Sequence, residues 1–329
     1  MWYVVSSKHC HWRKGLFMKL ITFDTIASAG ISPTQCYEWT SQMIADKKAA
    51  ILPPKISMKA FDGMFCNVMP SIVGDSGGVK MVTRYPHRIP SLDSFLVLFD
   101  VNTGENLALM DANWITAMRT GAVAAHSIIH LAKSNFSQIG IVGLGNTARA
   151  ALLVLASVLR EKKMQIKLLR YKDQAEDFIQ RFQAFENLSF TVVDTAEDLV
   201  KGSDVVISAA TYMPDDLCSD ECYEEGVLVV PIHTLGFTNC DLFFDKVFAD
   251  DYGHVKHFRY FDKFRAFAEV CDVVNGQAAG RENDQERILA YNIGLSIHDI
   301  NYAARIYEQL KDLKLPEINL SAPTDKFWI

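Results

Sequence analysis

Two hydrophobic rhythms alternate through the second half of the chain. Residues 139–142, 166–169, 203–210 and 227–231 are short, continuous apolar runs, the pattern of strands buried on both faces. Between them, residues 151–159, 173–185 and 195–201 repeat apolar positions at helical intervals. The alternation predicts an α/β fold with a Rossmann-type, doubly wound parallel sheet. A long helical stretch over 286–310 follows and is expected to cross back to the first part of the chain.

The first part is patterned differently. Ser32, Pro33 and Gln35 read as a helix start, with Ser32 as cap, Pro33 at the first helical position and Gln35 closing a capping box. Cys36, Trp39 and Met43 follow at helical spacing and are assigned to core, and Pro53-Pro54 ends the helix. Residues 55–70 alternate loosely and 77–83 form a strand candidate. Residues 94–100 and 105–111 flank Asn102-Thr103-Gly104, a hairpin signal. Residues 116–131 read as a helix leading into the first parallel strand. This part is therefore expected to be mainly antiparallel β with a leading helix.

The turn after residues 139–142 adds chemistry to the fold. Gly143, Gly145 and Ala148 fit the G-x-G-x-x-G/A dinucleotide pattern. Gly143 permits a tight turn, Gly145 lets a pyrophosphate approach bare backbone, and Ala148 lets the helix pack closely on the sheet. The diphosphate would meet free N–H groups at the positive helix end. At the end of the next strand, Arg170 and Lys172 stand where NAD-specific sites usually place an acid. They suit a 2′-phosphate, which tilts the expectation from NAD toward NADP, while nearby Asp173 leaves NAD open.

Composition narrows the class. The chain has 329 residues, enough for about two domains, and a net charge of −6, which gives no general attraction to nucleic acid. No run approaches the roughly 18 apolar residues that span a bilayer. Seven scattered cysteines fit no disulfide framework and suggest reduced thiols in the cytoplasm. Cys218 and Cys222 lack a second ligand pair, and His126 and His130, four apart, lack a third ligand, so no metal is expected. Residues 1–17 lack the apolar core of a signal peptide, and Met18 begins a stretch resembling a natural start. They are read as an extension or disordered arm.

A nicotinamide cofactor would carry the hydride, leaving the protein to hold substrate and manage protons. Three basic residues, Lys55, Lys80 and Arg119, are candidates for that work. Arg119 sits in an apolar helix and needs a partner, either a substrate carboxylate or a structural acid such as Asp111. Lys80 ends an apolar strand, where a surface lysine is the simpler reading of the residue by itself. His233, just past the 227–231 strand, is a candidate for proton transfer.

Together these landmarks resemble the ornithine cyclodeaminase/mu-crystallin family, from about Met18 to Leu310. The elements occur in order: Met69-Pro70, Gly78-Val79-Lys80, Ala108-Leu109-Met110-Asp111, Thr116-Ala117-Met118-Arg119-Thr120, the glycine turn, Asn292-Ile293-Gly294-Leu295 and His298-Asp299. The resemblance implies a homodimer, with an α+β dimerisation and substrate domain from both chain ends (18–120 and 300–329) beside a Rossmann domain (121–299). It implies that Arg119 and Lys55 bind a substrate carboxylate and that Lys80 sits by the amine or imine. Thr120, Asn146, Thr147, Ala210, Asn292 and Gly294 complete the cofactor-binding candidates.

One segment departs from the family pattern. Cyclodeaminases carry a Gly-Gly-Asp-x-Pro-Gly element, and here Leu235 of Ile232-His233-Thr234-Leu235-Gly236-Phe237 falls at its Asp. The variant is similar to the N-(2-amino-2-carboxyethyl)-glutamate dehydrogenase branch. The expected activity is NAD(P)-dependent hydride transfer at the α-carbon of an amino acid, an N-substituted amino acid or its imine. The alternatives are an ornithine cyclodeaminase, making proline and ammonia, and a non-catalytic NAD(P)-binding protein.

Overall fold

The computed structural model describes residues 17–211, 213–320 and 327. Two sheets organise them. The first contains β1 (Phe17–Ile21), β2 (Ile56–Met58), β3 (Phe65–Val73), β4 (Ser76–Arg84), β5 (Leu92–Asp100), β6 (Asn106–Asp111) and β15 (Glu317–Asn319), ordered β15-β1-β6-β5-β4-β3-β2. Its neighbours pair antiparallel except β1 with β6. The hairpin turn between β5 and β6 is set by Asp100, whose carboxylate accepts from the Asn102 and Thr103 amides.

The second sheet is parallel throughout. It contains β7 (Gln138–Val142), β8 (Met164–Leu169), β9 (Leu188–Val193), β10 (Val205–Ser208), β11 (Leu228–Pro231), β12 (Lys246–Ala249), β13 (Phe267–Glu269) and β14 (Ile288–Tyr291). The order is β13-β12-β14-β11-β10-β7-β8-β9. Strand order reverses between β7 and β10, and the crevice at such a switch point is where this architecture binds ligands.

Among the described residues ten α-helices dress the sheets: α1 (Phe23–Ala27), α2 (Pro33–Ala45), α3 (Asn113–Leu131), α4 (Asn146–Val158), α5 (Gln174–Arg181), α6 (Ala196–Val200), α7 (Cys240–Phe243), α8 (Tyr252–Val255), α9 (Val270–Val274) and α10 (Ser296–Leu310). The capping box at α2 forms as expected, with Ser32 accepting from the Gln35 amide and Gln35 from the Ser32 amide. One buried core runs from Ile21 and Leu96 in the first sheet to Ile141 and Ile207 in the second. α3 crosses residues 120–121 and α10 crosses 299–300, so both expected domain boundaries fall inside continuous helices.

Three expectations are corrected. The stretch 286–310 is not one helix. Its start is β14, inserted between β11 and β12, and Gly294 at φ +93° separates it from α10. All four β14 residues are buried, so no alternation marked them as a strand. The strands β9, β12 and β13 were also not anticipated, because β9 is only half-buried and the other two are very short. Of the expected N-terminal extension, residues 1–16 lie outside the described residues, whereas Phe17 opens β1 and pairs with Asn319.

Candidate active site

The parallel sheet delivers every loop of interest to one edge, because parallel strands all end on the same side. β7 ends in the glycine turn. Gly143 has φ +79°, and a Cβ there would lie 2.7 Å from the carbonyl carbon of Ala209 and the nitrogen of Ala210, just past β10. Ala210 thus forms the wall of the turn. Gly145 caps α4, and a Cβ on it would meet nothing within 4 Å. The position is open where a diphosphate would approach. Ala148 is fully buried beneath the turn. Asn146 and Thr147 occupy the first turn of α4, whose leading amides have no intrahelical acceptors. These residues fit a dinucleotide.

Beside Gly294, past the end of β14, a charge cluster is buried. Lys80, in β4, has no exposed surface, and its Nζ lies 2.8 Å from Asp299 Oδ2 and 3.4 Å from Thr116 Oγ1. Arg119, in α3, donates from Nε to Asp299 Oδ1 at 2.8 Å. Asp299, in the first turn of α10, therefore holds both cations, one on each oxygen. Arg119 thus has a structural acid as partner, Asp299 rather than Asp111, which instead accepts from Asn113.

Lys55 and Asp250 complete the cluster. Lys55 Nζ reaches the Ile293 carbonyl at 3.5 Å. Asp250, at the end of β12, accepts the Gly294 amide at 2.6 Å. Gly294 is required by closeness as well as by φ, since a Cβ would lie 2.8 Å from Arg119 Nη1. Asn292 turns inward, accepting from Ser127 and donating to the Ala290 carbonyl. Thr120 is buried beside Arg119.

Burial first, then the charges of Arg119 and Lys55, lower the Lys80 pKa to about 7 against the opposing pull of Asp299. A lysine that titrates near neutrality can give or take a proton. Lys55 is also lowered, by burial first and then by Arg119, while Asp250 opposes. For Asp250 burial acts upward, but His254, the Gly294 amide and Lys55 together hold its carboxyl below the ordinary range.

His233 follows β11 and forms a 2.6 Å hydrogen bond between Nε2 and Ser208 Oγ. Burial lowers its pKa to about 4, so the ring is neutral near pH 7. Leu235, two residues on, is half exposed. Arg170 is paired with Asp194 at 2.6 Å and Glu176 at 3.7 Å, and Lys172 adopts φ 50° in the loop beyond β8.

His126 and His130 pack with ring centroids 4.2 Å apart and their planes tilted by 33°. Among the described residues one group, Glu269, Cys271 and Asp272, has metal-ligand spacing. Ammonium groups already sit on both of its carboxylates, Lys47 on Glu269 and Lys48 on Asp272. The six described cysteines are unpaired and buried, and burial pushes the Cys218 thiol up to about 12.

The model of the ornithine cyclodeaminase/mu-crystallin family matches residues 47–314, a span holding the glycine turn and the whole charge cluster. The chain belongs to that family. Relatives within it include the nodulation efficiency protein NfeD of Rhizobium meliloti, 26% identical over 81% of this chain and 86% of its own. The N-((2S)-2-amino-2-carboxyethyl)-L-glutamate dehydrogenase of Staphylococcus aureus is 26% identical over 73% of this chain and 77% of its own. The Δ1-pyrroline-2-carboxylate reductase of Bacillus thuringiensis is 27% identical over 74% and 80%. The same fold occurs in the Δ1-pyrroline-2-carboxylate reductase of Thermococcus litoralis, solved with NADH and L-proline, at TM-score 0.81 and 24% identity over 92% of this chain and 100% of that one. An archaeal alanine dehydrogenase dimer with bound NAD also has TM-score 0.81, at 23% identity over 93% and 100%.

Asp299 and Asp250 are the two site residues that sequence reasoning passed over. His298-Asp299 stood among the family landmarks without a role. The available signal was an acid in the apolar run Ile297-His298-Asp299-Ile300, which demands a cationic partner.

Proposed function

We propose that this protein is an NAD(P)-dependent oxidoreductase acting at the α-carbon of an amino acid, an N-substituted amino acid or its imine. The observation that carries the reading is the buried Lys80–Asp299–Arg119 cluster, whose Arg119 lies against Gly294 past the end of β14, on the side of the parallel sheet where the glycine turn follows β7. Bound nicotinamide would supply or accept the hydride. Arg119, with Nε on Asp299, has its terminal nitrogens for a substrate carboxylate, and Lys55 adds charge beside it. In the reductive direction Lys80 gives a proton to the imine nitrogen as the α-carbon gains hydride. In the oxidative direction it takes that proton back. His233, neutral and tied to Ser208, is the second candidate for proton handling.

Gly143, Gly145 and Ala148, with the first turn of α4 and the Ala210 wall, are read as the diphosphate cradle. Arg170 and Lys172 tilt the reading toward NADP, for which Arg170 would exchange Asp194 for the 2′-phosphate. The two sheets are read as a substrate and dimerisation half and a dinucleotide half. The first sheet exposes Val79 and Phe95 on adjacent strands, opposite the face packed by α10, and a second copy is proposed to cover them. Among the described residues no helix is long and apolar enough to cross a membrane, and we place the dimer in the cytoplasm.

Fluorescence titration with NADH and NADPH, followed by nicotinamide absorbance with a panel of amino acids and 2-oxo acids plus amines, tests the reading. Binding with substrate-dependent absorbance change supports it. Proline and ammonia from ornithine without net redox change would replace it by cyclodeamination. Nucleotide binding with no reaction on any substrate would replace it by a carrier role.

A further inference from the structure

We propose that Asp299 is a positioning residue: its single carboxylate sets where Lys80 and Arg119 stand relative to each other, and so where the substrate's nitrogen and carboxylate lie. The inference rests on the oxidoreductase reading above. Its basis is geometric. Asp299 is fully buried, as is the Lys80 side chain, and Arg119 is nearly so. Each Asp299 oxygen takes a different cation at 2.8 Å. Two cations placed side by side in a protein interior repel each other, and a shared carboxylate offsets that repulsion.

The direction of each donor follows. Asp299 takes the Nε edge of Arg119 and Gly294 lies against its Nη end, so the guanidinium is held on two sides. Lys55, Lys80 and Arg119 supply three positive charges and Asp250 and Asp299 two negative ones. With Lys80 protonated the cluster carries one surplus positive charge, which one substrate carboxylate neutralises. Proton loss from Lys80 makes the cluster neutral, so carboxylate binding and Lys80 protonation favour each other.

The groups facing Lys80 are Asp299 from α10, Arg119 and Thr116 from α3, and Lys55 from the segment before β2. Removing the Asp299 charge leaves Arg119 and Lys55 repelling an unpaired ammonium. In Asp299→Asn, Lys80 therefore loses its proton at lower pH, and less of it is protonated at neutrality to serve as the acid.

Two measurements on the full-length protein test this. Side-chain NMR of 13C-labelled lysine, with the Lys80 signal assigned through Lys80→Ala, follows its titration without any substrate. The expected result is a downward move of about a pH unit or more in Asp299→Asn, largely restored in Asp299→Glu. An unchanged Lys80 titration in a folded Asp299→Asn protein overturns the proposal. Kinetics then give the second readout. Expected are a kcat loss of roughly ten-fold or more in the reductive direction and a matching shift of the pH profile, with nucleotide affinity unchanged. A pure rise in KM with the profile unmoved overturns it. A wild-type protein silent on the whole imine panel sinks the oxidoreductase reading itself, a result the NMR titration cannot produce.

Discussion

Gly121 of α3 lies directly on Ala150 of α4: a Cβ on Gly121 would stand 2.4 Å from the Ala150 carbonyl carbon. The first helix carries Arg119 two residues away and the second begins at the glycine turn. The contact therefore ties the charge cluster to the dinucleotide cradle. Gly121→Ala must push the helices apart and is expected to destabilise the protein by about 1–3 kcal/mol, with weaker NADH binding. Urea unfolding and a fluorescence titration check both.

The two glycines of the turn should fail differently. Gly143→Ala meets both a left-handed backbone and the Ala209–Ala210 peptide at 2.7 Å, so stability falls by about 2 kcal/mol or more. Gly145→Ala meets nothing, so stability changes by roughly 0.5 kcal/mol or less. The nucleotide Kd nevertheless rises about ten-fold or more, because the added methyl stands in the ligand's path. Equal losses of stability in the two variants would contradict this division.

Lys80→Ala and Arg119→Ala should separate in kinetics. Loss of the proton-transferring group lowers kcat by about 10²–10⁴. Loss of Arg119 raises the substrate KM and leaves Asp299 with Lys80 as its remaining partner, at a stability cost of a few kcal/mol. Arg119→Lys will not restore activity, since an ammonium lacks the forked donors. Steady-state kinetics beside thermal unfolding distinguish the two effects.

Acid sensitivity is expected from buried histidines. Burial lowers His126 to about 3, and His233 and His298 to about 4, with the charge of Arg119 also acting on His298. Their folded pKa values lie below the unfolded 6.5, so the unfolded chain binds more protons below that pH. Their contribution is complete above about pH 6.5 and is lost as pH falls toward 4, by up to a few kcal/mol per residue. Lys80 has the same sign in another window. Stability rises between its folded value of about 7 and the ordinary 10.5, as the unfolded lysine keeps its proton. Denaturation midpoints against pH, with His298→Gln flattening the acid limb, would check the assignment.

Phe95→Asp should break the dimer proposed through the first sheet. Phe95 is 44% exposed on its uncovered face, beside Val79 at 38%, and a charge there opposes burial against a second copy. Light scattering coupled to gel filtration should report a monomer. A wild-type monomer would remove the proposal.

Local chemistry was the most legible part of this chain. Gly143, Gly145 and Ala148 act within one turn, so their spacing carries their meaning. Lys80 and Arg119 were visible as charges in apolar surroundings. Their shared partner was not, because Asp299 is 180 residues from Arg119 in sequence and only folding brings them together. The same limit hid β14. Its four buried residues run almost directly into α10, and an apolar run buried on every side shows neither a two-residue nor a helical period. Arg170 shows the converse: two cations past β8 were plain in sequence, while the claim of Asp194 on one of them was not.

The Lys80–Asp299–Arg119 contact draws one residue each from β4, α10 and α3. No contiguous stretch of the chain contains it, and neither sheet can form it alone. Its completion requires the antiparallel half, the helix entering the parallel half and the helix returning from it. Under the proposed role of this cluster, turnover is a report on the intact tertiary structure, and a fragment that retains nucleotide affinity is expected to be chemically inert.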